Sequence, residues 1–223
     1  MKAILFDLDG VLVDVSDSYN LTIKTVVERL AGRVVSDEDI ESCRSRGGLN
    51  DDWDLTELMI REAGGRVERS AIVSLFQKIY RGENFDGLIL KESPLLKPST
   101  LGLLRGRFRL GIVTGRPRDE AAFTLDRFEM SPAFSVVVTK DDLPAGRLKP
   151  DPLGITMALR ELGVRDAIYV GDMVDDIDAA KRAGVTAVAV VGRSSRKEER
   201  RRLLAARGAA VVLDDVNDIV EVP

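Results

Sequence analysis

Apolar residues are distributed along this chain in two ways, and the change from one to the other divides it. Residues 3–6, Ala-Ile-Leu-Phe, form an unbroken apolar run that stops at Asp7-Leu8-Asp9-Gly10. A short apolar run closed by a turn signal reads as a buried strand. Runs of the same kind recur at 109–113, 135–138, 167–170 and 187–190. Helical patterns lie between them, one reaching Phe128 and others at Pro152–Leu162 and Asp175–Ala183. Strand and helix in alternation predict a parallel sheet covered by helices.

From about Ser16 to about Asp86 the strand pattern is missing. Candidate helices at Asp17–Leu30, Asp37–Arg46, Asp51–Glu62 and Glu68–Arg81 are separated by Ala31-Gly32, Gly47-Gly48 and Gly64-Gly65. The first carries Leu21, Val26, Val27 and Leu30 near helical spacing, and the second opens on Ser36 as N-cap with Asp39 three residues on. Four helices of this size make a small bundle. The expected fold class is therefore α/β, with a sheet domain at 1–15 and 87–223 and an inserted helical domain at 16–86. The insertion follows the first strand at the carboxyl edge of the sheet, where open α/β sheets bind their ligands. It is placed to act as a lid.

Composition removes several function classes. A length of 223 residues suits one large domain, or a core with a smaller inserted one. With 33 basic and 37 acidic residues the formal net charge is −4, which gives no electrostatic case for a nucleic-acid partner. No apolar stretch approaches the roughly 20 residues that span a bilayer, so no membrane partner is expected. Met1-Lys2 runs straight into the first strand without a secretory pattern, and the expected compartment is the cytoplasm. Cys43 is the one cysteine and there is no histidine. Those two facts exclude an intrachain disulfide, a thiolate metal site and every mechanism that needs an imidazole, Ser-His-Asp and Cys-His catalysis included. Oligomeric state is left open.

Four segments carry candidate chemistry, three of them directly at strand ends. Asp7 and Asp9 end the first strand. Leu110-Gly111-Ile112-Val113 ends in Thr114-Gly115-Arg116, then Pro117, a favoured first helical residue. A hydroxyl, a glycine and the backbone N–H groups of a helix start make a phosphate cradle. In Arg147-Leu148-Lys149-Pro150-Asp151-Pro152, Asp151 is the expected N-cap and Pro152 the first helical residue, which holds Lys149 on a stiff loop. Ala167-Ile168-Tyr169-Val170 delivers Gly171-Asp172-Met173-Val174-Asp175-Asp176 to the same edge. Singly, each has an ordinary reading as a turn, a solvated lysine or a helix cap. An EF-hand starting at Asp7 fails on spacing, because Val11 and Ser18 stand where ligands are needed. Ordinary readings would have to produce an acidic pair, a hydroxyl, a lysine and an acid cluster in this order by chance.

In that order they resemble the four motifs of the haloacid dehalogenase superfamily. Asp7-Leu8-Asp9-Gly10 matches the first, Thr114-Gly115 the second, Lys149 before Pro150-Asp151-Pro152 the third, and Gly171-Asp172 to Asp176 the fourth. The stretch from Asp176 to Gly184 looks like phosphoglycolate-phosphatase-like members, and the helical insertion resembles the C1 cap of subfamily I. The resemblance implies a Rossmann-like core and the hydrolysis of a small soluble phosphate ester with Mg²⁺. It makes Asp7 the catalytic nucleophile and Asp9 the acid and base. Carboxylate crowding is the available means of keeping a proton on Asp9. Thr114 and the Gly115 N–H would hold the phosphate oxygens, with Lys149 as the compensating cation. Mg²⁺ would be held by Asp7, the backbone carbonyl of Asp9, Asp172 and Asp176, with the adjacent Asp175 able to share or take that place. Asp9 points to phosphate chemistry, since haloalkanoic acid dehalogenases lack an acid there.

Two alternatives keep the same residues. A β-phosphoglucomutase-like phosphomutase would retain Asp9, but often carries Glu-Asp where this chain has Gly171-Asp172. A receiver-like phospho-accepting module also joins acids, Thr and Lys, at about half this length and without a cap. In the inserted domain, Arg46, with Asn50 and Trp53, is the candidate contact for the organic part of the substrate. The basic stretch Arg196–Arg207 reads as a solvated surface helix without a function.

Overall fold

The computed structural model describes residues 2–49, 51–192, 194 and 196–222. The chain runs through β1 (Ala3–Phe6), β2 (Val13–Asp14), α1 (Leu21–Ala31), α2 (Asp37–Arg44), α3 (Asp52–Glu62), α4 (Arg69–Tyr80) and β3 (Ser93–Pro94). It continues through α5 (Pro98–Arg105), β4 (Arg109–Val113), α6 (Arg118–Arg127), β5 (Val136–Val138), α7 (Leu153–Leu162), β6 (Ala167–Gly171), α8 (Val174–Ala183), β7 (Thr186–Val190), α9 (Lys197–Arg207) and β8 (Val211–Leu213). It divides into two units, Met1–Val13 with Pro94–Pro223, and Asp14–Ser93.

In the first unit six strands form one sheet in the order β5-β4-β1-β6-β7-β8, every neighbouring pair parallel. β1 is buried along its whole length because strands flank it and helices cover it. Leu5, Val113, Val138, Ile155, Ala158 and Ile177 belong to one apolar core between sheet and helices. Each fully buried Leu, Ile or Val contributes roughly 1.5–3 kcal/mol of transfer free energy. Register matters more for the site. Phe6 pairs with Ile112 on one side and Val170 on the other, so the residues that follow β1, β4 and β6 emerge level at one edge. The chain proceeds from β1 toward β4 and β5, then returns to β6 and moves outward the other way. That reversal between β1 and β6 is a topological switch point, where α/β sheets bind ligands.

Asp14–Ser93 is helical, and its core includes Tyr19, Phe76 and Tyr80, with the rings of Tyr19 and Tyr80 stacked at 4.0 Å. Ser36 and Asp39 close a reciprocal capping box on α2: Ser36 Oγ accepts the Asp39 N–H at 3.1 Å, and Asp39 accepts the Ser36 N–H at 3.0 Å. The unit extends past residue 86, where the sequence pattern placed the return, because Leu88–Lys91 forms a 3-10 turn with Ile89 buried. Glu92 then accepts from Tyr80 Oη at 2.9 Å and Ser18 Oγ at 3.3 Å.

Other boundaries shift for local reasons. Ser16–Asn20 is a π-helical segment, so α1 starts only at Leu21. α2 stops at Arg44 rather than Arg46 because the last N–H groups tighten onto Cys43 and Arg44 carbonyls. α7 starts at Leu153 rather than Pro152, with the Asp151 carboxylate accepting the Leu153 N–H at 2.9 Å. Among the described residues no helix is long and apolar enough to cross a membrane.

α7 packs on β4 and β5, and Gly154 makes the approach possible. A Cβ there would lie 2.7 Å from Val113 Cγ1. Gly154→Leu is expected to cost about 1–3 kcal/mol by overpacking, and thermal melting should show a fall of about 2–4 °C per kcal/mol. An unchanged Tm would mean that the helix does not lie this close.

Candidate active site

A buried ammonium organises the carboxyl edge of the sheet. Lys149 Nζ lies 2.6 Å from Asp176 Oδ1 and 2.9 Å from Asp7 Oδ1, and it donates to Tyr169 Oη at 3.1 Å. All four residues are buried. The Tyr169 hydroxyl is within reach of the Val113 carbonyl at 3.1 Å and Asp176 Oδ1 at 3.2 Å. Asp7 is placed by β1, its N–H donating to the Val170 carbonyl at 2.8 Å. Asp176 folds back from the first turn of α8, where its Oδ2 accepts the N–H groups of Asp172 at 3.0 Å and Met173 at 2.9 Å. It thus caps the helix and faces the lysine at once.

Two glycines make room for this. A Cβ at Gly171 would lie 2.3 Å from Asp176 Cβ. Gly10 has φ +73°, and a Cβ there would lie 2.5 Å from Asp172 Oδ2. The Asp-x-Asp-Gly turn therefore needs glycine both for its left-handed backbone and for the approach of Asp172.

Asp7, Asp172 and Asp176 each bring an oxygen to within 4.8 Å of the others. Asp175 is buried on α8 and stands outside this trio. Burial pushes the Asp7 carboxyl well above the ordinary carboxylate value; Lys149 opposes the shift, while Asp176, Asp9 and Asp172 add to it. For Lys149 burial works against the charge, but Asp176 and Asp7 outweigh it and hold the ammonium well above its usual value. Lys149 and Arg200 set two positive charges against the three carboxylates of the trio, which leaves negative charge uncompensated. An all-oxygen donor set with that excess fits a hard divalent cation.

Asp9 has a cationic neighbour that the sequence did not suggest. Its carboxylate accepts from the guanidinium of Arg116: Nε donates to Oδ1 at 2.7 Å and Nη2 donates to the same oxygen. Arg116 sits in the loop after β4. Its N–H donates to Thr114 Oγ1 at 3.2 Å, and the Thr114 N–H donates to the Val138 carbonyl at 2.9 Å. Gly115 lies between them in the same loop.

Among the described residues, then, the first unit gathers Asp7, Lys149, Asp172 and Asp176 at one point and sets Asp9, Thr114 and Gly115 on the flanking loops. In the helical unit Arg46 is largely exposed and donates to Glu62 at 2.8 Å. Arg44 bridges Asn20 at 3.0 Å and Asp52 at 2.6 Å. Trp53 is half-buried on α3, and Asn50 lies outside the described residues.

Sequence reading passed over three residues. Tyr169 is the polar tip in an otherwise apolar strand, a visible signal. Arg116 directly follows the Thr114-Gly115 motif, without a role being given to it. Arg200, on the helix read as functionless, donates to the Asp172 carbonyl at 2.6 Å and carboxylate at 2.7 Å. Nothing in the run of arginines around it marks it out.

Residues 4–190 match the family model described as haloacid dehalogenase-like hydrolase. A protein of Phytophthora nicotianae named imidazoleglycerol-phosphate dehydratase is 36% identical over 203 residues, which is 86% of this chain and 43% of that protein. This chain thus spans under half the length of that relative. The phosphoglycolate phosphatase of Escherichia coli O157:H7 is 27% identical over 206 residues, covering 85% of this chain and 81% of that one. The crystal structure of a candidate β-phosphoglucomutase from Thermotoga maritima superposes with a TM-score of 0.70 at 22% identity, covering 100% of this chain and 98% of the other. At that identity the likeness is one of fold. The family match spans β1 through β7 and with it every strand end that bears a candidate residue, and this chain belongs to the haloacid dehalogenase-like hydrolases.

Proposed function

We propose that this protein is a Mg²⁺-dependent phosphatase that hydrolyses a small phosphomonoester through an aspartyl-phosphate on Asp7. The observation that carries this reading is the buried Asp7 carboxylate, 2.9 Å from Lys149 and grouped with Asp172 and Asp176. Asp7, Asp172, Asp176 and the backbone carbonyl of Asp9 would hold Mg²⁺, which when bound supplies positive charge against the repulsion between carboxylate and phosphate.

The chain's own residues do the rest. Asp7 attacks phosphorus, forming an O–P bond as the bond from phosphorus to the leaving oxygen breaks. Asp9 gives that oxygen a proton. Asp9 then takes a proton from water, whose oxygen attacks phosphorus and frees Asp7 and inorganic phosphate. Thr114 and the Gly115 N–H hold the non-bridging oxygens as charge redistributes. Lys149 fixes Asp7 in place and offsets charge within reach of the reaction.

Relatives named phosphoglycolate phosphatases support hydrolysis. The rival mutase reading loses ground at Gly171, because the Glu-Asp pair common in those enzymes would need a Cβ 2.3 Å from that of Asp176. Assays of the wild type on phosphoglycolate, sugar phosphates and nucleoside monophosphates, with and without a bisphosphorylated sugar primer, separate the two. Primer-independent phosphate release is expected; primer-dependent isomerisation would establish the mutase.

Chelation should abolish turnover and Mg²⁺ should restore it, whereas full activity in excess EDTA would exclude a metal requirement. Asp7→Asn should lower kcat by on the order of 10⁴ or more, as loss of a nucleophile does, while the protein stays folded. Because folding raises the Asp7 pKa, its contribution to stability is full below the ordinary carboxylate value of about 4 and is lost as pH rises through the raised value. Above the ordinary carboxylate value, burying Asp7 therefore costs the metal-free protein stability, and Lys149 keeps Asp176 when Asp7 is removed. Metal-free Asp7→Asn should melt above the wild type at pH 7, with the gap closing toward pH 4. A lower Tm for the variant at pH 7 would show that the Lys149 ion pair outweighs burial.

A further inference from the structure

We propose that Arg116 is a positioning residue for Asp9, aiming its carboxylate at the leaving oxygen without touching the substrate. The inference rests on the hydrolase reading and names a residue outside its four motifs. Arg116 is 2% exposed, among the largest fully buried side chains, whereas the Asp9 side chain keeps 27% of its surface. A buried cation thus lies beneath a carboxylate that reaches solvent. Nε and Nη2 both donate to Asp9 Oδ1, and among the described residues neither bond goes to Oδ2. The remaining arm is anchored separately: Nη1 donates at 2.9 Å to Thr124 Oγ1, itself buried on α6. The Arg116 N–H meets Thr114 Oγ1 at 3.2 Å.

Stability alone is a poor reason for this arrangement. Burying a guanidinium costs several kcal/mol before pairing returns any of it, and apolar replacements of such pairs are often neutral or better. What the fork does achieve is orientation. Two donors on one oxygen hold Oδ1 in place, and the anchor on α6 holds the fork. A flexible lysine, a point charge on four methylenes, could not do the same. Asp9 enters the cycle with its proton on Oδ2 while Oδ1 accepts from the fork; Oδ2 passes that proton to the leaving oxygen and recovers one from the attacking water. Misplacement of about 1 Å can cost 10²-fold in rate.

The test exploits the leaving group. Protonation matters for an alkyl phosphate and little for p-nitrophenyl phosphate, whose phenolate leaves unaided. In Arg116→Gln, kcat/KM for phosphoglycolate or whichever alkyl ester is turned over best should fall about 10–100-fold, and that for p-nitrophenyl phosphate by less than about threefold. Arg116→Lys should lie between Gln and wild type. In an Asp9→Asn background the Gln substitution should have no further effect. Thr124→Val, which leaves the charge in place, should give a smaller loss with the same leaving-group dependence; it keeps the test open if Arg116→Gln does not fold. Equal losses on both substrates, or losses that multiply with Asp9→Asn, would overturn the positioning role. A disabled Asp9→Asn with an unaffected Arg116→Gln overturns the Arg116 inference alone. If Asp9→Asn itself keeps wild-type kcat/KM, the acid–base reading and the role of Arg116 fall together.

Discussion

Everything at the carboxyl edge of the sheet depends on one buried ammonium shared by two carboxylates. Lys149 is reached by a loop before α7, Asp7 by β1 and Asp176 by the turn after β6, so the contact ties three separate chain segments together. An ion pair of this kind is expensive to desolvate, and losing the lysine would leave two buried carboxylates facing each other without a cation. The sheet makes it affordable by fixing the partners in advance. β1 and β6 are in register, Asp7 is hydrogen-bonded across to Val170, and Asp176 is locked by two backbone N–H groups.

Because Lys149 has one charge to share between Asp7 and Asp176, and Arg200 pairs with Asp172, the three carboxylates are left in excess, and that excess is chemically useful. It adds to burial, the larger cause, in raising the Asp7 carboxyl, and it makes the donor set suit a hard cation. Asp9, two residues on, is governed by a different cation, Arg116, from a different strand end. Two aspartates separated by one residue thus stand in unlike surroundings. One is buried and crowded by acids; the other is half-open and forked by a guanidinium. Environments that differ this much are what allow neighbouring carboxylates to take separate roles.

The sheet was legible in the sequence because buried parallel strands leave unbroken apolar runs, as at residues 3–6 and 110–113. β8 was not, since Val211–Leu213 is three residues of intermediate burial and resembles any apolar patch. α5 escaped because Pro94 and Pro98 make the surrounding segment look like loop. Candidate residues were visible from type and position: Asp7, Thr114 and Asp172 just after strands, Asp176 in the helix that follows, and Lys149 on the loop before α7. Partnerships between distant segments were not. Arg116 meets Asp9 across 107 positions and Arg200 meets Asp172 across 28; an arginine carries no local pattern that names its partner. That Asp176 and not Asp175 comes together with Asp7 and Asp172 likewise depends on the backbone after β6, where Gly171 leaves room for the Asp176 side chain, and sequence spacing alone leaves this open.

The central claim is that Asp7 becomes covalently phosphorylated. Mass spectrometry of protein quenched in acid during turnover of a phosphomonoester tests it directly. A phosphoryl group on the peptide bearing Asp7, carried by that side chain and lost in Asp7→Asn, is the result the account predicts. Turnover with no phosphorylated protein at any time point, or with the phosphoryl group on another residue, would contradict it.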